Sequence, residues 1–257
     1  MTTTTLPAMT PAPAPQDRLR TVRRLAPPML VAAVLAITFA VVTSTDLDSI
    51  EARTLNTPYI LARVREHLVL SVTASALVTA LAVPAGILAY RVRSRVFRGV
   101  ILGLGNIGQA TPAVGVVILL AIIWQTGFTT ALVALVAYAF LPVLRNTLTG
   151  LEQVDPNIRE AARGMGMRPR QVLWRIELPL ASSVILAGLR TSLVFCVGVA
   201  TIATFINAGG LGDMIINGLK LQRYLVLLVG SVLVASIAIL IDWIAGLAEE
   251  RFRPKGL

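Results

Sequence analysis

Long apolar segments separated by short basic segments are the feature that most restricts how this chain can fold. An α-helix needs about 20 apolar residues to cross a hydrocarbon core about 30 Å thick. Of the 257 residues, 56% are hydrophobic and only 14% are charged, whereas ordinary soluble domains carry about 25% charged residues. The chain is therefore predicted to be an all-α integral membrane protein.

Six segments are long and apolar enough to be membrane helices. We predict these helices at residues 25–44, 67–90, 99–124, 128–148, 181–206 and 224–248. Glycines and Pro112 interrupt the third of them. Such breaks persist in a membrane only where protein or a water-filled path satisfies the freed backbone groups. The sequence therefore predicts a broken third helix beside a polar pathway.

The segments at the ends and after the first helix are polar. We predict a disordered basic tail over residues 1–24, because the stretch is rich in Thr, Pro and Ala and shows no apolar period. Residues 45–66 are predicted to form an extracytoplasmic loop, followed by a membrane core over 67–248 and a cytoplasmic tail over 249–257. His67 begins the second helix and is expected at the membrane interface. The single cysteine, Cys196, allows no internal disulfide.

The distribution of Lys and Arg predicts that both termini are cytoplasmic. Four Arg precede the first helix, four lie between the second and third, six lie between residues 145 and 175, and three lie in the tail. The segments on the other side hold five. Cytoplasmic loops carry such an excess of basic residues. Membrane topology thus explains the net charge of +10, and nucleic acid is not expected as a partner.

The longest polar interval after the second helix spans residues 149–180. Asp155 is a good N-cap, and Pro156 suits the first position of a helix, where its missing N–H is not needed. This short helix is predicted to end where Gly164 and Gly166 supply positive φ angles.

A second short helix is predicted to follow, from Pro169 to a break at Pro179. Together the two helices would form a helix–turn–helix on the cytoplasmic surface. An amphipathic loop lying on lipid headgroups is the alternative.

The same interval carries a spaced motif. Glu160, Ala161 and Ala162 are followed by three residues and Gly166, and nine residues later come Ile176, one spacer, Leu178 and Pro179. This EAA-x3-G-x9-I-x-L-P spacing resembles that of ABC-transporter permease subunits. The resemblance implies the MetI-like fold of type I ABC importer permeases, with a loop that couples to an ATPase. The ATPase-coupling residues it implies are Glu160, Ala161, Ala162, Gly166, Trp174, Ile176, Leu178 and Pro179.

From about Thr111 to Asp213 the chain is similar to permeases of the osmoprotectant class. The segments that carry this similarity are LPVLRNT at 141–147, VDP at 154–156, EAARGMGM at 160–167, ELPL at 177–180, ILAGLRT at 185–191 and AGGLGD at 208–213. The resemblance implies the permease of an importer for glycine betaine, choline, carnitine or related quaternary amines.

The resemblance also implies the partners and the location of the chain. The expected partners are cytoplasmic P-loop ATPase subunits, a second permease copy or paralogue, an extracytoplasmic solute-binding protein and the lipid bilayer of a bacterial cell membrane. ATP and Mg²⁺ would be bound by the ATPase, so no cofactor is expected in this chain. The sequence agrees, because it contains no G-x-x-x-x-G-K-[ST] phosphate loop and no catalytic triad, and the chain is not expected to be an enzyme.

Three other functions are alternatives to this one. The AGGLG segment at 208–212 is also similar to methionine importers, so an amino-acid importer is an alternative. A secondary carrier usually needs ionisable groups within the membrane. Asp242 is the one acidic residue well inside an apolar run, so a secondary carrier is disfavoured. A scaffold without a pathway is disfavoured by the broken third helix, in which Asn106, Gln109 and Thr111 lie close together. We predict that the third and fifth helices line the pathway, with these polar residues: Asn106, Gln109, Thr111, Thr201, Thr204 and Asn207.

Overall fold

The computed structural model describes residues 15–92 and 94–252, which contain helices and no strand. The α-helices are α1 Pro15–Ser44, α2 Ser49–Thr54, α3 Thr57–Arg91, α4 Arg95–Ala110, α5 Ala113–Ile123, α6 Phe128–Glu152, α7 Pro156–Gly164, α8 Pro169–Val172, α9 Leu178–Ala200, α10 Gly212–Lys220 and α11 Tyr224–Phe252. A π-helical turn, Leu173–Glu177, joins α8 to α9, and a 3-10 turn, Thr201–Ile206, follows α9.

Among the described residues, five helical segments are long and apolar enough to cross a membrane, and α4 with α5 makes a sixth if the pair is one span. The chain bends by 99° between α4 and α5. Pro112 causes this break, because it lacks an N–H and disfavours helical angles at the residue before it. Thr111 accordingly has an extended ψ of 136°. The predictions of an all-α membrane fold and of a broken third helix are confirmed.

The second membrane helix begins earlier than the sequence suggested. Asn56 caps α3 by accepting a hydrogen bond from the Tyr59 N–H at 2.9 Å, and Pro58 fits the first turn. Residues 45–66 therefore contain α2 and the first turns of α3 rather than a loop alone. His67 lies ten residues inside α3, is 0% exposed, and places Nε2 3.1 Å from the Val197 carbonyl oxygen. The side chain of His67 is therefore enclosed by the protein, and its position at the membrane interface stays a prediction.

The two ends of the chain are more helical than predicted. Residues 15–24 belong to α1, so the predicted disorder does not hold for them, whereas residues 1–14 lie outside the described residues. At the other end α11 continues to Phe252, so the predicted tail begins as helix. Residues 253–257 lie outside the described part of the chain.

The centre of the fold lies where α6 packs between α3 and α9. Gly86 of α3 and Gly188 of α9 contact consecutive residues of α6. A Cβ atom on Gly86 would lie 2.7 Å from Cβ of Thr147, and one on Gly188 would lie 2.6 Å from Cβ of Asn146. Small residues let membrane helices approach closely enough for van der Waals packing to hold them together. These two contacts fix α6 between its neighbours.

The outer helices are attached to this centre through α11. α11 packs against α9, and α1 packs against α11. Arg190 of α9 donates hydrogen bonds from Nε and Nη2 to the two carboxylate oxygens of Asp242 on α11, at 2.5 and 2.6 Å. Asp242, the isolated acid of the sequence, is therefore half of an ion pair that joins two helices. Only 6% of the most apolar part of α1 is buried against the rest of the chain, so α1 is the least enclosed of the long apolar helices.

Replacing Gly188 tests the central packing. The Gly188→Ala substitution should lower the stability of the detergent-solubilised protein by about 1–3 kcal/mol, because the new methyl group overlaps Asn146. The measurement is the thermal unfolding midpoint. Gly198→Ala is the matched control, since Gly198 lies on the same helix and a Cβ there meets nothing within 4 Å. Equal midpoints for the two variants would contradict the packing described.

Candidate functional site

The polar interval at 149–180 begins with α7, whose two ends are capped by side chain and backbone. The Asp155 carboxylate accepts a hydrogen bond from the Asn157 N–H at 2.8 Å. At the other end the Met167 N–H bonds the Ala162 carbonyl at 3.2 Å, and the Gly166 N–H bonds the Arg163 carbonyl at 2.9 Å. These two bonds form a Schellman motif, which requires a left-handed residue. Gly166 supplies it with φ +81°.

Gly166 alone ends α7, so the prediction that Gly164 also has a positive φ angle is wrong. Gly164 is the last residue of the helix and does not have positive φ. A Cβ atom on Gly166 would meet nothing within 4 Å. Glycine is therefore required at 166 by the backbone angle and not by crowding within this chain.

The surface of α7 presents a ridge of apolar residues, of which Ala161 was predicted from the sequence and Ile158 and Met165 were not. Ile158, Ala161 and Met165 follow the i, i+3, i+7 spacing of one helix face, and all three are exposed. Met165 is 74% exposed. Ala162, in contrast, is buried against the rest of the chain. We call Ile158, Ala161 and Met165 the α7 ridge.

The remaining predicted coupling residues lie around the ridge and beyond it. Glu160 is exposed and makes no hydrogen bond or ion pair to a described residue. Trp174 is 67% exposed. Ile176 and Leu178 are partly buried, and Pro179 is exposed. Their exposure leaves most of this set accessible to a partner.

The second short helix does not end at Pro179, contrary to the prediction. The π turn carries the chain from α8 directly into α9, and Pro179 lies in the first turn of α9. Proline is tolerated there because the first turn of a helix does not need its N–H. The wider π turn replaces the predicted break.

A buried carboxylate ties this loop to the membrane helices. Glu177 is 4% exposed and accepts a hydrogen bond from the Tyr90 hydroxyl at 3.2 Å. Arg159 of α7 donates to the same hydroxyl at 2.5 Å. Arg91 donates to the Pro169 carbonyl at 2.8 Å, and its guanidinium lies 3.9 Å from Glu177. This Tyr90–Glu177 hub connects α7, α8 and α9 to the end of α3.

Of the three pathway residues predicted around the end of α4, Asn106 contacts a residue that was not predicted. Asn106 Oδ1 accepts a hydrogen bond from Arg145 of α6 at 2.5 Å, and both residues are exposed. Gln109 is partly buried, and the Thr111 hydroxyl donates to the Ile107 carbonyl of its own helix. The sequence reasoning assigned Arg145 to the cytoplasmic loop. The position of Arg145 within the apolar run of the fourth predicted helix is the sequence signal that distinguishes it from the arginines of the loop.

A second cluster, which we call the external cluster, surrounds the glycine-rich turn after α9. Thr204 donates a hydrogen bond to Asp213. The other oxygen of Asp213 lies 2.6 Å from the Arg63 guanidinium, which also pairs with Glu66 at 2.9 Å. Glu66 in turn accepts the Gly210 N–H at 2.9 Å. Burial raises the pKa of the Asp213 carboxyl above its usual value, and the Arg63 charge opposes this shift.

The two remaining predicted pathway residues lie beside the external cluster. Thr201 donates to the Gly198 carbonyl at 2.7 Å. Asn207 is exposed and adopts a left-handed conformation, with φ 61°. It is one of the few residue types that tolerate this conformation.

The structure does not bring the six predicted residues together at one point. The Gly127 N–H at the start of α6 bonds the Ile206 carbonyl at 2.7 Å, which places the external cluster near that end. Arg145 lies 17 residues beyond Phe128, or about 26 Å along the helix. The polar residues thus lie at two levels along α6. Among the described residues, no group of three His, Cys, Asp or Glu could hold a metal ion.

Comparison with known proteins identifies the family. Residues 82–254 match the family described as "Binding-protein-dependent transport system inner membrane component". The chain is 39% identical over 198 residues to the choline transport system permease protein OpuBB of Bacillus subtilis (strain 168). It is 38% identical over 198 residues to the glycine betaine/carnitine/choline transport system permease protein OpuCB of the same strain. Each alignment covers 77% of this chain and 90% of the relative.

The solved structures agree with the fold. The chain is similar to the inward-facing MetNI methionine ABC transporter, with a TM-score of 0.69 and 21% identity. The match covers 78% of this chain and all of that chain. The family resemblance drawn from the spaced EAA motif is confirmed. The chain belongs to the family of inner membrane components, or permease subunits, of binding-protein-dependent transport systems.

Proposed function

We propose that this chain forms the membrane pathway of an ATP-driven importer for small quaternary-ammonium solutes such as glycine betaine, choline and carnitine. The observation that carries the proposal is the identity of 39% and 38%, over most of both chains, to permeases that bear these solutes in their names. The similarity to a methionine transporter is weaker in sequence, at 21%. An amino-acid importer is therefore an outcome of the test rather than a second proposal.

The energy comes from a partner in this proposal, since the chain has no phosphate-binding loop. A cytoplasmic P-loop ATPase binds ATP and Mg²⁺ and docks on the α7 ridge, which covers Ile158, Ala161 and Met165. The permease itself is not an enzyme. The Tyr90–Glu177 hub supports this assignment, because it gives a movement of α7 a polar connection to α3 and α9.

The excess of basic residues supports an orientation with both termini in the cytoplasm of a bacterial cell. The coupling loop at 149–180 then faces the ATPase. The external cluster faces an extracytoplasmic solute-binding protein. Asn106 and Arg145 are exposed although they lie within membrane-type helical segments. Polar side chains in such segments need protein or water around them, which supports the presence of a second permease copy or paralogue. The permease core in this proposal is the segment 67–248, preceded by the first turns of α3.

A pair of glycine variants tests the coupling role of the loop. Gly166→Ala forces a side chain into the left-handed region, at a cost of about 1–2 kcal/mol, and should tilt the ridge away from its partner. We expect fewer solute molecules transported per ATP hydrolysed by the purified complex in proteoliposomes. Gly164→Ala is the control and should behave as wild type, because Gly164 has helical angles and open space around it.

The Gly166→Asn variant sharpens the comparison. Asn adopts the left-handed conformation more readily than Ala, so it should restore most of the coupling. If Gly166→Ala transports as efficiently as Gly164→Ala, the loop does not couple ATP hydrolysis to transport.

Uptake of labelled solutes tests the proposed substrate class. Cells that lack this gene should lose the salt-induced uptake of glycine betaine or choline, and a plasmid copy should restore it. Methionine uptake, measured in the same cells, should not change. Loss of methionine uptake with unchanged uptake of both quaternary amines would instead assign the chain to an amino-acid importer.

A further inference from the structure

We infer that Arg145 and Asn106 form a station on the pathway that recognises the carboxylate of a zwitterionic solute. The inference rests on the proposed function and adds the chemical group by which the permease distinguishes its solutes. Glycine betaine and carnitine carry a carboxylate, whereas choline carries a hydroxyl and a net positive charge. The station therefore separates two kinds of quaternary amine that share the same cationic end.

The depth of the two side chains is fixed by an ion pair at the ends of their helices. Arg98 of α4 lies 2.5 Å from Glu152 at the end of α6. Asn106 is eight residues further along α4, and Arg145 is seven residues before Glu152. At 1.5 Å per residue, both lie about 10–12 Å inside the surface that the ion pair marks. A guanidinium at this depth is strongly disfavoured unless it faces protein or water.

Arg145 differs from Arg190, the other arginine deep inside a span, in what surrounds it. Arg190 is neutralised by Asp242, and Glu249 lies 3.6 Å away. Arg145 is exposed and donates one hydrogen bond, to the uncharged Asn106 amide oxygen. Among the described residues it has no carboxylate partner. Most of its five N–H donors remain available to a ligand.

The packing of α6 aims Arg145 away from the centre of the fold. The next two residues, Asn146 and Thr147, contact Gly188 of α9 and Gly86 of α3. Arg145 is thereby left on the side of α6 that faces α4, where Asn106 holds it in place. A guanidinium fork positioned in this way matches the geometry of a carboxylate, and its charge repels a solute that is only cationic.

The Arg145→Gln substitution tests this inference in whole cells, through uptake of labelled glycine betaine and choline at matched expression. Comparing each solute with its own wild-type rate cancels the contribution of the solute-binding protein. Loss of a charge-assisted hydrogen bond should lower glycine betaine uptake about tenfold. Choline uptake should stay the same or rise. Arg98→Gln is the control, because it removes the same charge at the membrane surface and should change both rates equally.

Two results would overturn the inference. An equal loss of both solutes would mean that Arg145 serves packing or pairs with a second permease. No loss of either would mean that its side chain reaches lipid headgroups instead. If wild-type cells take up neither solute, the proposed function itself fails and the inference falls with it.

A second variant keeps the test decisive if Arg145→Gln does not reach the membrane. Arg145→Lys retains the charge but lacks the planar fork. It should lower glycine betaine uptake about threefold and leave choline unchanged. Equal changes in both solutes would count against the station.

Discussion

The close approach of α6 to α3 and α9 is the contact on which the rest of the structure depends. Lipid gives apolar helices no hydrophobic reason to associate, so their packing must come from close backbone approach and shape. Gly86 and Gly188 supply that approach at two successive residues of α6. Because these residues face opposite neighbours, the orientation of α6 is fixed, and Arg145 faces α4. These two packing contacts thus determine which side of α6 carries Arg145.

Polar contacts connect the loop at residues 149–180 to this centre. Arg159 connects α7 to Tyr90, and Tyr90 connects to the buried Glu177 at the start of α9. A buried polar group that loses its partner costs about 1–3 kcal/mol, so these contacts hold α7 to the membrane helices. Arg63 of the external cluster lies on α3, and Thr204 lies in the 3-10 turn that follows α9. The loop and the external cluster are therefore connected through the same pair of helices.

Local signals in the sequence predicted much of this, while contacts between distant residues did not. The apolar runs, the break at Pro112 and the capped helix that Gly166 terminates each depend on a few neighbouring residues, and the structure confirms them. The burial of His67 and the pairing of Thr204 with Asp213 depend on residues that meet only after folding. The predicted fourth helix contains Arg145, but its distance from the end of the helix bundle follows from the ion pair of Arg98 with Glu152, which forms only after folding.

Cysteine accessibility tests most directly whether the polar face lines a water-filled path. Single cysteines would be placed at Asn106, Asn207 and Leu104, with the buried Cys196 replaced by serine. Leu104 is the matched control. It is 66% exposed on the same helix as Asn106, but it belongs to the apolar surface of that helix. We predict that a membrane-impermeant thiol reagent modifies Asn106→Cys and Asn207→Cys and spares Leu104→Cys in the assembled transporter. Equal modification at Asn106 and Leu104, or none at Asn106, would contradict the pathway described.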